Sequence, residues 1–269
     1  MLGSSRLSLA ALQASLDDRR SEPGFAAMSG ELLAVARILG EQKSLRNALA
    51  DAGQPVQVRT GIATSLFGSQ LSPLAMAVLS DVAAARWSND ADLVEALEQI
   101  GAQVAFISAD TDGTLDRIEN ELFTFGRAVE QSPELQLALT DPAVASDRKG
   151  ELIRNLVGPT ATPTTTALLT HMAANLRNRR PAAAIGSLST LASAQRNQTV
   201  AEVRSAITLN DDQNTRLAAA LTSMMGRQVR LNVVVDPDVL GGIVVRIGDD
   251  VIDGSIASRL DQARRAILA

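Results

Sequence analysis

From residue 6 to residue 196, apolar residues recur every three or four positions, as they do on helices that bury one face. The spacing predicts helices at 6–20, 24–40, 43–51, 56–68, 72–87 and 91–108. A second series follows at 114–131, 133–140, 146–157, 162–177 and 181–196. Breaks fall where the backbone chemistry allows them. Gly53-Gln54-Pro55 separates two helices. Ser72-Pro73 and Thr162-Pro163 each read as an N-cap followed by proline at the first helical position, and Asn89-Asp90 opens the helix beginning near Ala91.

The two series are copies of one another. With the chain shifted by 90 residues, "ELLAVARILGEQKSLRNALAD" (31–51) lies over "ELFTFGRAVEQSPELQLALTD" (121–141) without a gap. Fourteen of the 54 pairs between positions 31 and 84 are identical, among them the punctuating Asp51/Asp141, Gly68/Gly158 and Pro73/Pro163. The same shift maps helix 6–20 onto 96–110, which already closes the first copy. One long helix is therefore expected to end the first bundle and begin the second. The expected organisation is a bundle over 1–110, a second over 91–197 sharing helix 91–110, and a different unit over 198–269.

After residue 198 the period changes. "TVAEVRSAI" (199–207) alternates apolar and polar residues as a strand does, and "VRLNVVVD" (229–236) is a second strand. Between them, 210–228 is an amphipathic helix. Residues 242–253 predict a hairpin turning at Gly248-Asp249-Asp250, and 254–269 a last helix capped by Asp253 or Ser255. The fold class is mainly α: two tandem bundles, then a small α/β domain.

Composition narrows the function. Apolar residues make up 46% of the 269-residue chain but aromatics only 2%, so the cores are built from Ala, Leu, Val and Ile. The chain has no cysteine and one histidine, His171, which excludes disulfides, thiol nucleophiles and a histidine metal cluster. Its net charge is −5, unlike a nucleic-acid binder with a basic face. No apolar run reaches the ~20 residues of a membrane span, and the start of the chain lacks a secretory pattern. A soluble protein on the cytoplasmic side is expected.

Candidate chemistry falls away on inspection. Gly241-Gly242 precede a strand and lack the lysine of a phosphate loop and the spacing of a dinucleotide fingerprint. Asp249, Asp250 and Asp253 lack the spacing of a calcium loop. Asp17-Asp18, Asp110/Asp112 and Asp211-Asp212 read as solvated helix caps. Arg177, Arg179 and Arg180 suit the end of a helix. Trp87 reads as a core or rim anchor, Met224-Met225 as core filling, and His171 as a partly exposed structural residue. No catalytic residues, cofactor or metal are expected. Grooved bundles suit a protein that holds other proteins.

One stretch is specific. In "VRLNVVVDPDVLGGIVVRIGDDVIDGSIASRL", the positions Val229, Leu231, Val235, Asp236, Val239, Gly241, Gly242, Ile243, Val245, Arg246 and Gly248 resemble the C-terminal signature of the delta subunit of rotary F-type ATP synthases, and Asp253-Gly254-Ser255 continues it. The mitochondrial relative is the oligomycin-sensitivity-conferring protein. The resemblance covers roughly 114–269, and the duplicated bundle is similar to actinobacterial delta subunits. It implies a non-catalytic stator subunit at the cytoplasmic face of the membrane, associated with the membrane only through its complex. It also implies two partners: N-terminal helices of alpha subunits, held in a groove between first and fifth bundle helices, and the b-type peripheral stalk. By position, the second copy's groove would be lined by Ile100, Val104, Leu168 and Met172, and the first copy's by Leu9, Leu12, Val78 and Val82. The competing expectation is a helical-repeat adaptor unrelated to ATP synthase.

Overall fold

The computed structural model describes residue 1 and residues 3–196, 199–225, 229–236, 239, 241–247 and 250–253. The chain divides into two compact units, Met1–Gln195 and Arg196–Ala269.

The first unit is helical. Its first series is α1 (Gly3–Arg19), α2 (Phe25–Glu41), α3 (Lys43–Ala50), α4 (Val56–Phe67), α5 (Pro73–Ala84) and α6 (Asp90–Thr111). The second is α7 (Leu115–Gln131), α8 (Pro133–Thr140), α9 (Ser146–Val157), α10 (Pro163–Ala174) and α11 (Pro181–Arg196). The caps form where the sequence places them. The Ser72 hydroxyl accepts from the Ala75 amide and the Thr162 hydroxyl from the Thr165 amide, each ahead of a proline at the first turn. The Asn89 side chain accepts from the Ala91 amide at the start of α6.

Two helices end earlier than their apolar pattern. The sequence extends α5 to 87 and α10 to 177; the structure stops them at Ala84 and Ala174. Side chains take the last carbonyls, which a helix cannot satisfy itself. In the first series, buried Arg59 on α4 donates to the carbonyls of Ala83, Ala84 and Ala85, and the Trp87 indole donates to Val82. In the second, the Asn175 amide donates to His171, and Arg179 donates to Asn175 and Leu176. Arg177 and Asn178 there take left-handed backbone angles, with φ of 46° and 65°.

Apolar residues surround nearly the whole of α6, and its residues divide between two cores. Leu93, Val94, Leu97, Ile100, Val104 and Ile107 belong to one core, with Leu16, Met28, Leu32 and Leu79. Ala102, Ala105, Phe106 and Ala109 belong to the other, with Ile118, Leu122, Leu169 and Ile185. The helix meets α2 closely. A Cβ on Gly101 would lie 3.0 Å from Leu33 Cγ, and the Ser29 hydroxyl donates to the Gly101 carbonyl at 2.7 Å.

The second unit holds β1 (Thr199–Ser205), α12 (Asp211–Met225), β2 (Val229–Val235), β3 (Ile243–Ile247) and β4 (Asp250–Asp253). The sheet order is β2-β1-β3-β4. Strands β1 and β2 are parallel with α12 as their crossover, the long connection parallel pairing requires. β3 is antiparallel to both β1 and β4. Ala201, Val203, Leu221, Val229 and Val245 form the small core. The hairpin pairs Ile247 with Asp250 as the sequence anticipates; its turn residues Gly248 and Asp249, and the helix expected over 254–269, lie outside the described residues.

Candidate docking surfaces

The eight groove candidates are all buried and fall in two places. Leu9, Leu12, Val78 and Val82 share the first core, on α1 and α5. Ile100 and Val104 lie in that same core, on the face of α6 turned toward the first series. Leu168 and Met172 lie in the second core. The face of α6 near these two carries Glu95, Glu98, Gln99 and Ala102 instead.

There a cavity of about 90 Å³ opens between α6, α10 and α11. Ala102, Leu168, Met172, Ala184, Leu188 and Leu191 line it with apolar surface, and Leu33 reaches it from α2. Leu188 and Leu191 are only partly buried. Glu95, Glu98, Gln99, His171 and Ser187 add polar groups. An apolar floor with polar groups around it is the lining that accepts one face of an amphipathic helix.

Beside the cavity sits a cluster that the sequence did not reveal. Glu98, with its side chain 10% exposed, meets Arg177 Nη2 at 2.5 Å, Arg179 Nη2 at 3.0 Å and His171 Nε2 at 3.4 Å. Burial pushes the carboxyl's pKa up. The hydrogen bond with His171 and the charges of Arg177 and Arg179 outweigh it, holding Glu98 below the usual carboxylate range. The cluster ties α6 to α10 and to the turn before α11. Its members lie 73 to 81 positions apart in the chain, so no local motif announces them. Of the three arginines that read as a helix terminator, Arg179 does both jobs, since it also caps α10.

The signature residues lie in the second unit. Gly241 and Gly242 have φ of 71° and 81°, a backbone open to glycine and costly for other residues. That conformation is the structural reason for the pair. Asp236 accepts an ion pair from Arg204, and its amide donates to the Ser205 carbonyl at 2.8 Å, fixing the chain as it leaves β2. Arg246 pairs in register with Glu202 and Val251. Asp253 ends β4; Gly248, Gly254 and Ser255 lie outside the described residues. Among the described residues no helix is long and apolar enough to cross a membrane.

The family described as ATP synthase delta (OSCP) subunit matches residues 97–267. An ATP synthase subunit delta from Parafrankia sp. is 42% identical over 99% of both chains. One from Frankia casuarinae is 39% identical over the whole of both, and one from Streptomyces coelicolor is 40% identical over 99% of this chain and 98% of that one. These full-length matches include α1 to α5, which the family match itself does not reach. A chain of the Toxoplasma gondii mitochondrial ATP synthase hexamer is 29% identical over 64% of this chain and 98% of that one; its TM-score of 0.28 is too low to carry a structural argument. By the family match and by relatives alike end to end, the chain belongs to the ATP synthase delta (OSCP) subunit family.

Proposed function

We propose that this chain fastens the catalytic head of the ATP synthase to its peripheral stalk, with the groove between α6, α10 and α11 receiving an amphipathic N-terminal helix of an alpha subunit. Family membership already makes the chain a non-catalytic stator subunit, attached to the membrane only through the complex, and sets aside the reading as an unrelated adaptor. The groove assignment rests on one observation, the partly exposed apolar lining at Leu188 and Leu191 beside Leu168 and Met172.

In this reading residues 198–269 meet the b-type stalk, and the complex holds the chain at the cytoplasmic face. A stator must resist rotor torque, which calls for stiff joints more than for chemistry. A single helix buried in two cores supplies one, because bending it would open both. The first copy's counterparts Leu9, Leu12, Val78 and Val82 are as buried as Leu168 and Met172. The partly exposed Leu188 and Leu191 beside the second pair favour one alpha helix per chain, held by the second copy, with the first copy as a spacer.

Titration of the full chain with an alpha N-terminal peptide tests the groove. One peptide per chain is expected to bind, and Leu188→Asp, at a half-buried position, is expected to abolish binding. Leu168→Asp makes the same test deeper in the groove. Unchanged affinity in folded Leu188→Asp protein would sink the assignment. A stoichiometry of two would show that the first copy binds as well.

A further inference from the structure

A different cavity lies at the far end of α10. It holds about 480 Å³, within the range of small-molecule sites, and Thr140, Ser146, Lys149, Arg177, Arg179 and Arg180 line it. The first copy has a cleft of about 460 Å³ at the corresponding place, lined by Ala50, Asp51, Ala52, Trp87, Asn89 and Asp90. Shifted by 90 residues, Trp87 becomes Arg177, Asn89 becomes Arg179 and Asp90 becomes Arg180. One location in a duplicated fold thus carries neutral and acidic groups in one copy and basic groups in the other.

The first copy closes its charges internally. Asp90 pairs with Arg46 at 2.7 Å, and Arg59 spends its guanidinium on three helix-end carbonyls. In the second copy the counterpart of Arg46 is Gln136. It keeps the two backbone hydrogen bonds that Arg46 makes, here to Val129 and Glu130, but offers no charge. The counterpart of Arg59 is Lys149, half-buried at the cleft. Among the described residues neither Lys149 nor Arg180 has an ion-pair partner. Glu98 offsets one of the four positive charges, and Glu41 at the edge of the cleft a second. A net positive charge remains, concentrated on the two cations without partners.

We infer that this cleft binds a phosphate-bearing small molecule, with Lys149 and Arg180 as the direct phosphate contacts and Arg177 and Arg179 supplying background charge from their places beside Glu98. A guanidinium matches two phosphate oxygens at once, and an ammonium serves as a mobile point charge. The cleft volume admits inorganic phosphate or a nucleoside phosphate. The inference does not depend on the alpha-helix groove: Arg179 lines both, but Lys149 and Arg180, the proposed direct contacts, line the cleft and not the groove.

Calorimetric titration of the full chain tests it, at constant ionic strength, with sodium phosphate, ADP and adenosine. Phosphate and ADP are expected to bind, and adenosine not to. Lys149→Ala/Arg180→Ala is expected to weaken both by tenfold or more, since each charge-assisted contact is worth roughly that factor. Arg154→Ala, which removes an exposed charge elsewhere on α9, is expected to leave them unchanged. ADP binding more tightly than phosphate would assign the natural ligand to the nucleotides; equal affinity would assign recognition to the phosphate alone. Absence of binding by the wild-type chain at millimolar ligand overturns the inference. So does equal weakening by Arg154→Ala, which would mark only general charge attraction. Arg180→Glu alone, at an exposed position, keeps the test available if the double variant folds poorly.

Discussion

Glu121 on α7 accepts hydrogen bonds from both the amide and the hydroxyl of Thr162, each 2.9 Å long to Oε2, and so pins the start of α10 to its neighbour. Ninety residues earlier Glu31 makes the same pair of bonds to Ser72, at 3.1 and 2.7 Å. In both copies a carboxylate on the second helix holds the N-cap of the fifth. Glu121→Ala and Glu31→Ala should each destabilise the first unit by about 1–2 kcal/mol, the usual cost of losing such a cap. Urea unfolding monitored by circular dichroism measures it. A loss confined to one copy would show that the shared geometry does not carry a shared load.

Glu98 should contribute to the acid limb of stability, together with Glu121 and Asp90. Glu98 and Glu121 are both held below the ordinary carboxylate range, because hydrogen bonds, joined at Glu98 by neighbouring charge, outweigh burial. A depressed carboxyl stabilises the fold above its unfolded pKa of about 4.3, and the contribution is lost as pH falls through the lower folded value. Stability should therefore hold from neutral pH down to about 5 and fall steadily below it. Glu98→Gln leaves Arg177, Arg179 and His171 facing one another without the anion. It should cost about 2–4 kcal/mol at pH 7, toward the low end because both guanidiniums are about a third exposed. Its stability should also vary less with pH below 5 than that of the wild type. A Glu98→Gln chain as stable as wild type at pH 7 would remove the cluster's structural role.

Much of this architecture could be read from residue order, because helix periodicity, N-cap residues and the 90-residue shift are local signals. Ser72-Pro73 and Thr162-Pro163 start helices where they should; that Gly241-Gly242 take left-handed angles is a use of the glycine pair that residue order alone did not specify. What could not be read depends on which surface meets which. Ile100 and Val104 are apolar on a helix that is apolar almost all round, so spacing does not say that they face the first core while Ala102 and Phe106 face the second. Nothing local sets Glu98 apart from the other charges on α6; only the turn after α10 brings Arg177 and Arg179 to it. The ends of α5 and α10 were overestimated because alanine favours continuation, whereas the stop comes from Arg59 and Arg179, which lie outside those helices.

Two glycines in adjoining helices should respond in opposite directions to the same substitution. At Gly30, in the middle of α2, an added Cβ meets nothing within 4 Å, so Gly30→Ala should stabilise by about 0.5–1 kcal/mol through helix propensity alone. At Gly101 on α6 the added atom would lie 3.0 and 3.1 Å from Leu33 and 3.4 Å from the Ser29 carbonyl. The same propensity gain is set against overpacking at a buried crossing of α2 and α6, and Gly101→Ala should lose about 1–2 kcal/mol net. Thermal unfolding of the two variants side by side provides the comparison. A stabilised Gly101→Ala would mean that α2 and α6 can separate without penalty, contrary to the stiffness proposed for the joint.

Arg59 and Lys149 occupy corresponding positions on α4 and α9, yet their removal should have unequal consequences. Arg59 is 3% exposed, and its guanidinium takes the carbonyls of Ala83, Ala84 and Ala85. Arg59→Ala deletes that cap, leaves buried acceptors unpaired and opens a void, and should cost about 2–4 kcal/mol. Lys149 is only half-buried, and the α10 turn it faces is capped by Asn175 and Arg179. In buffer free of phosphate, Lys149→Ala relieves repulsion with neighbouring arginines and should change stability by no more than about 0.5 kcal/mol in either direction. Added phosphate should then raise the unfolding midpoint of the wild-type chain and of Arg154→Ala, but not that of Lys149→Ala/Arg180→Ala, because a ligand stabilises only the state that binds it. A Lys149→Ala chain as damaged as Arg59→Ala would show that the lysine is a structural cap like its counterpart, and the cleft would lose its claim to be a site.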